Sequence, residues 1–311
     1  MSGSNSFASR PSAGAGFCLV ALMSVALGFG ACSSVPSHAG DTTRGDAAWE
    51  ARANGEQDGR ASLEVIGEAL GLYEAALTAT PDDLSIRWKL LRALHFAGGF
   101  AATDDRDKVR FFDRAREVAD QGVDQIHRNG DSPFLLEEAD PREMRDLVAL
   151  RGLSSSDVAR LYFWSAINWG AWSRQAGLLS AVRHGVGNRL YRYTLVAIAL
   201  EPDYEEGGAY RLLGRLHAEL PKVPFVTAWV DRDQAVPLLE RAYAQAPANP
   251  GNQLLLALTL LDLAPQRRTQ ALRLLQEVEG LSPRPAMHVE DLAMRKEAHK
   301  ERLVALESGK P

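Results

Sequence analysis

The sequence predicts an all-α fold in which antiparallel helical hairpins repeat around a central tryptophan-rich helix. Three observations carry that prediction. Ala, Leu, Arg and Glu dominate, while aromatic residues make up only 7% of the 311-residue chain, which favours helix over sheet. One apolar template ending in proline recurs four times. A single segment, Tyr162 to Trp172, is apolar on almost every side, as a central rather than a peripheral helix is.

The template is an apolar or small residue, a second four positions on, a third three further, then proline after another five. It reads Ala69, Tyr73, Ala76, Pro81; Leu190, Thr194, Ala197, Pro202; Ala235, Leu239, Ala242, Pro247; and Ala271, Leu275, Val278, Pro283. Spacing of four then three sets the residues on one face of a helix. The proline ends that helix, because it lacks an amide donor and clashes with the preceding turn. This resembles the second helix of a tetratricopeptide repeat. The first-helix pattern is clear once, as Tyr210, Leu213, Gly214 and His217, where Gly214 admits a close partner helix and His217 takes an aromatic core position rather than a ligand's. Gln253 to Leu260 is nearly all Leu and Ala and predicts a buried helix. The segment Glu219 to Asp231, with Pro221, Pro224 and Trp229, interrupts the array, so the domain is specialised rather than a plain scaffold.

Bulk composition (46% apolar, 24% charged) is that of a globular protein, with enough apolar material for a continuous core. Net charge is −5 and neither sign forms a long block, which argues against a nucleic-acid partner. Both cysteines, Cys18 and Cys32, precede the repeats, so the folded part has no disulfide and no thiolate metal site. The seven histidines are scattered without the spacing that aims two at one ion, and no metal or cofactor is implied. The sequence has no HExxH, GxSxG or phosphate-loop motif, so a binding protein is expected and not an enzyme.

The first residues read as an address. A polar start carrying Arg10 leads into an apolar stretch, Phe17 to Gly30, too short to span a bilayer but suited to a signal-peptide core. It ends in Phe29-Gly30-Ala31-Cys32-Ser33, which resembles a bacterial lipobox, with Phe29 where an aliphatic residue is usual. The alternative is an ordinary secretory signal followed by a chance cysteine. On the first reading residues 1–31 are a lipoprotein signal, Cys32 is lipidated, 32–46 form a flexible Ser/Gly/Pro/Thr-rich tether, and 47–311 form the helical domain. The lipid would fix the chain to an envelope membrane. Ser33 resembles the outer-membrane sorting class, with the domain in the periplasm.

Two clusters are candidate sites. In a helix expected from Asp157 to about Val182, Trp164, Asn168 and Trp172 share a stripe with Trp169 beside it. Three indoles and an amide suit either a core or an apolar pocket with a few orienting polar groups. Downstream, Tyr210 precedes Arg211 and Arg215, one turn apart, which could hold a carboxylate or simply bridge to Glu205 and Glu219. The acidic run Glu137, Glu138 and Asp140 reads as a solvated turn.

Cys32, the tryptophan helix, the run Gly207-Gly208-Ala209-Tyr210-Arg211-Leu212-Leu213-Gly214-Arg215-Leu216, then Leu220-Pro221 and the Ala-x3-Leu-x2-Ala-x4-Pro helix together resemble the T-component (TatT) family of TRAP transporters. These are tetratricopeptide-like lipoproteins associated with tripartite ATP-independent periplasmic transporters. The resemblance implies a homotrimer, a channel-like cavity and partnership with a periplasmic solute-binding protein. The expected function is therefore capture or relay of a small apolar or carboxylate ligand beside the transporter. A scaffold lipoprotein for envelope assembly is the alternative.

Overall fold

Helices α1 (His38–Glu50), α2 (Leu63–Ala79), α3 (Leu84–Phe96) and α4 (Asp105–Arg128) open a computed structural model that describes residues 38–130 and 134–308. They are followed by α5 (Met144–Leu150), α6 (Ser155–Ala176), α7 (Leu178–Arg183) and α8 (Val186–Leu200). The array continues with α9 (Gly208–Glu219), α10 (Ala235–Gln245), α11 (Pro250–Leu263), α12 (Arg268–Gly280) and α13 (His288–Ser308). There is no strand among the described residues, only an isolated bridge between Gln57 and Arg60. Helices adjacent in sequence pack as neighbours: α1 on α2, α3 on α4, α6 on α8, α9 on α10 and α11 on α12, with α13 closing the series and short α5 and α7 inserted. This is an all-α, tetratricopeptide-like array of hairpins.

The helix starts follow local chemistry. Ser62, Asp83, Asp104, Ser154 and Asn249 each accept hydrogen bonds from free amides in the first turn of α2, α3, α4, α6 and α11. All twelve helical residues of the four templates are buried, and each template ends at its proline: α2 before Pro81, α8 before Pro202, α10 before Pro247 and α12 before Pro283. α4 holds a fifth copy without the proline, in Ala115, Ala119 and Gly122, all buried. A Cβ on Gly122 would lie 2.6 Å from Arg87 Cδ and 2.9 Å from Leu161 Cδ2, so this small face lets three elements meet.

Several boundaries differ from expectation. The helical body begins at His38, inside the segment read as tether, and Asp46 is fixed by Tyr73 Oη at 2.8 Å and Lys89 Nζ at 2.7 Å. The long central helix stops at Ala176, because Gly177 takes a positive φ of 81° and starts the separate α7; its cap is Ser154, not Asp157. Cys32 and the signal segment lie outside the described residues.

Two large apolar clusters form the core, one built on α1 to α8 and the other on α10 to α13. α13 belongs to both, through Val289 in the first and Ala298 in the second. At the α9–α10 crossing a Cβ on Gly214 would stand 2.7 Å from Leu239 Cγ and 3.1 Å from the Ala235 carbonyl. Gly214→Ala should therefore lower unfolding free energy by about 1–2 kcal/mol, the overpacking exceeding the helix-propensity gain of about 0.8 kcal/mol. Urea denaturation checks this; unchanged or increased stability would show that the helices do not meet there.

Candidate ligand-binding cavity

Where α13 returns to the first hairpin, the array leaves a partly open cavity of about 370 Å³. α1 contributes Trp49 and the turn after it Arg52, and α3 contributes Arg92, His95 and Phe96. The turn after α3 adds Phe100, and α6 adds Phe163, Trp164 and Ile167. Glu205 and Arg211 come from the start of α9 and its approach, and Met287, Glu290 and Met294 from α13 and its approach. The α3 residues converge because Trp88, Arg92, His95 and Phe96 fall on one helical face.

The closure is polar. Arg52 Nε and Nη2 donate to Glu290 Oε1 at 3.1 and 3.0 Å, Nη2 also donates to the Ala286 carbonyl, and the guanidinium lies 4.1 Å from the Trp49 ring centre. Burial holds the Glu290 carboxyl above its ordinary range, although Arg52 pulls the other way.

Three polar atoms around this cavity are buried without a hydrogen-bond partner: Arg92 Nε, His95 Nδ1 and Glu290 Oε2. Arg92 lies 4.1 Å from the Trp49 ring centre and 5.2 Å from that of Trp88, and makes no ion pair among the described residues. His95 stands among Phe100, Phe112 and Trp164. Burial, with a smaller contribution from the Arg174 charge, pushes its pKa down to about 4, so the ring is neutral near pH 7. A largely apolar cavity, lined also by Glu50, in which Arg92 makes no ion pair among the described residues and an imidazole is neutral, can hold an anionic head attached to an apolar body.

Of the residues singled out from sequence, Trp164 and Arg211 reach this cavity. Trp164 donates to Tyr204 Oη at 2.8 Å, and Arg211 donates to Asn252 Oδ1 at 2.6 Å. The rest of the tryptophan stripe is core. Trp169 donates to Asp120 at 3.1 Å and Trp172 to Asp113 at 2.8 Å, both acids on α4. Buried Asn168 donates to the Leu91 and Trp164 carbonyls at 3.0 and 2.9 Å. Tyr210 lies under Arg241, whose guanidinium is 4.1 Å from its ring centre. Arg215 pairs with Glu219 and lines a separate, open groove of about 710 Å³, so the two arginines do not share one anion. His217 is buried and accepts from the Asp231 amide at 3.0 Å, a core position. Glu137 is not a solvated acid: Tyr162 Oη donates to it at 2.8 Å, and His127 Nε2 lies 2.8 Å from the same oxygen. Sequence reading missed Arg52, Arg92, His95 and Glu290. The α3 stripe was the available signal for two of them.

No family model and no curated protein matches the chain. Among solved structures it is similar to TTC0263, a thermophilic TPR protein of Thermus thermophilus, at 16% identity over 87% of this chain and 99% of that one, TM-score 0.47. It is also similar to yeast Tom70 at 14% identity over 91% and 68%, TM-score 0.24. Both scores are low, and the repeat fold rests on the helix pairing and template burial described above.

The depressed His95 pKa makes a prediction. The folded protein binds fewer protons at this ring than the unfolded chain, so its stabilising effect is complete above about pH 6.5 and is lost as pH falls toward about 4. His95→Gln should flatten thermal stability against pH in that window. Parallel curves for the two proteins would place the imidazole in water.

Proposed function

We propose that this protein is a lipid-anchored envelope lipoprotein that binds a small organic carboxylate with an apolar body, as an accessory of a TRAP-type transporter. One observation carries the binding reading: three buried polar atoms without a partner among the described residues, one of them on an arginine with no ion pair there, border a single largely apolar cavity. Buried polar groups are almost always satisfied; other unsatisfied atoms occur among the described residues, but these three gather at one cavity, where a ligand would supply the bonds. The carboxylate would sit on Arg92, and the apolar body would run along Trp164, Phe100, Met287 and Met294. In this reading the protein binds and hands on its ligand without chemistry.

Anchoring through Cys32, an outer-membrane and periplasmic setting, a homotrimeric assembly and a periplasmic solute-binding protein as partner follow from the sequence resemblance. They are part of the proposal. A second reading, a scaffold for envelope assembly, draws on the open groove formed by α9, α11 and α13. Arg215, Arg268, Glu297 and Glu301 there offer charges of both signs to a peptide.

Octanoate and benzoate, added at a hundredfold excess over their dissociation constant, should stabilise the protein by about 2.7 kcal/mol in a thermal or urea assay. Arg92→Gln should weaken binding at least about tenfold, in proportion to the loss of a charge-assisted bond. Trp172→Ala, a core change, should lower stability without altering affinity for the remaining folded protein. If neither acid binds, or if Arg92→Gln binds them equally well, the cavity reading fails and the groove becomes the better candidate.

A further inference from the structure

One end of the molecule carries apolar side chains that nothing among the described residues covers. Short α7 buries none of its residues, and Leu178, Leu179 and Val182 are 81%, 75% and 59% exposed. Their spacing of one and then three puts them on one helical face. The segment between α9 and α10 adds Val223, Val226 and a fully exposed Phe225.

The two pieces lie beside the same turn of α8. α7 passes into α8 through left-handed Gly185. A Cβ on Gly187 would be 3.3 Å from Thr227 Cγ2, and Trp229 donates to Asn188 Oδ1 at 2.7 Å. The loop is tied, not loose. Thr227 Oγ1 donates to the Pro221 carbonyl at 2.5 Å and accepts from the Val223 amide at 3.0 Å, and the Thr227 amide donates to the Val223 carbonyl at 2.9 Å. At its tip Phe225 is held at a φ of 65°, a left-handed conformation that non-glycine residues adopt at a cost. A strained backbone that presents a bare aromatic ring to water has no folding rationale, because the ring packs on nothing.

Charge selects the occupant. The chain as a whole is acidic, at −5, yet residues 158–200 contain Arg160, Arg174, Arg183, Arg189 and Arg192 and no Asp or Glu; in the loop Lys222 shares a groove with the flanking acids Glu219 and Asp231. Arg160, Arg189 and Arg192 pair with Glu201, Asp120 and Glu138 on other elements. Exposed Arg174, Arg183 and Lys222 make no ion pair among the described residues, and they flank α7 and the loop. A protruding ring and a short apolar helix face, with the exposed cations Arg183 and Lys222 in the same two segments, match the interface of an anionic bilayer, where rings enter the acyl boundary and cations meet headgroup phosphates. A flat protein partner would need a broader recessed surface of roughly 800 Å² on each side. We propose that this end of the protein, centred on Phe225 and α7, is a docking surface for anionic lipid.

The test uses Pro36–Pro311, which form a compact unit by themselves and contain no cysteine, so the signal segment and any lipid on Cys32 play no part. This protein should co-float with phosphatidylcholine vesicles containing phosphatidylglycerol, and not with phosphatidylcholine alone. High salt should release it. Phe225→Gly, which removes the ring and relieves the strained φ, should reduce binding about tenfold while melting no lower than the parent. The triple change R174Q/R183Q/K222Q, which removes cations that would meet headgroup phosphates, should reduce binding by at least about tenfold. An environment-sensitive fluorophore on Phe225→Cys should shift to the blue with anionic vesicles, and one on Glu68→Cys in α2 should not. Absence of vesicle binding would overturn the proposal, as would binding indifferent to these changes. Self-association abolished by Phe225→Gly without any vesicle binding would overturn it too, assigning the face to a second copy.

Discussion

The buried contact between Arg52 and Glu290 is the polar anchor that, with Val289 in the first core, distinguishes this molecule from an open stack of helical hairpins. A tetratricopeptide-like array leaves its inner face as a groove, and a groove stays wet. Here α13 turns back onto α1, and a guanidinium only 3% exposed meets a carboxylate only 13% exposed. Bringing two charges out of water is expensive, and their attraction compensates only with good geometry and further bonds. The guanidinium meets both conditions, while Glu290 Oε2 stays without a partner among the described residues. Two nitrogens of Arg52 share one carboxylate oxygen, a backbone carbonyl takes another proton, and Trp49 and Phe96 present their rings to the cation. Leaving either charge alone would cost about 3–5 kcal/mol, so the pair specifies closure even if it adds little net stability.

Closure changes the chemistry within. Beside the apolar walls from α1, α3, α6 and α13, burial pushes the His95 pKa down to about 4, and Arg92, with no ion pair among the described residues, lies between two indole faces. Such groups are weak binders in water and strong ones in a low-dielectric chamber, because they have already lost their hydration and gain a partner at no further desolvation of their own. The wall supplies apolar area and the orphaned atoms supply direction. Selectivity would then come from the separation of head and tail.

The repeat was legible from sequence because its physics is local. Ala69, Ala76, Ala235, Ala242 and Ala271 are small so that another helix can approach, and the proline after each set stops the helix at a fixed distance. The same faces were found buried. The copy in α4 was missed because it runs on to Arg128 without a proline, although Ala115, Ala119 and Gly122 keep the spacing. The site was much less legible. Trp169 and Trp172 suited a pocket on chemical grounds, but their N–H groups are satisfied by Asp120 and Asp113, acids far away in the chain. Arg211 and Arg215 part for a similar reason, Arg215 taking the bridge to Glu219 that the sequence also allowed, since neighbours on a helix can face different cavities once other helices pack between them. Glu290 could not be found from sequence, because its role exists only when the last helix meets the first.

The most direct test of closure measures the distance between those two ends. Spin labels at Asn54→Cys, after α1, and Lys296→Cys, on α13, can be placed in the otherwise cysteine-free Pro36–Pro311 and read by pulsed electron double resonance. A closed array gives one short, narrow distance distribution, which broadens and lengthens when Arg52 is changed to alanine. A broad, long distribution in the parent protein, unaffected by Arg52→Ala, would mean that the array is open and that no enclosed chamber exists.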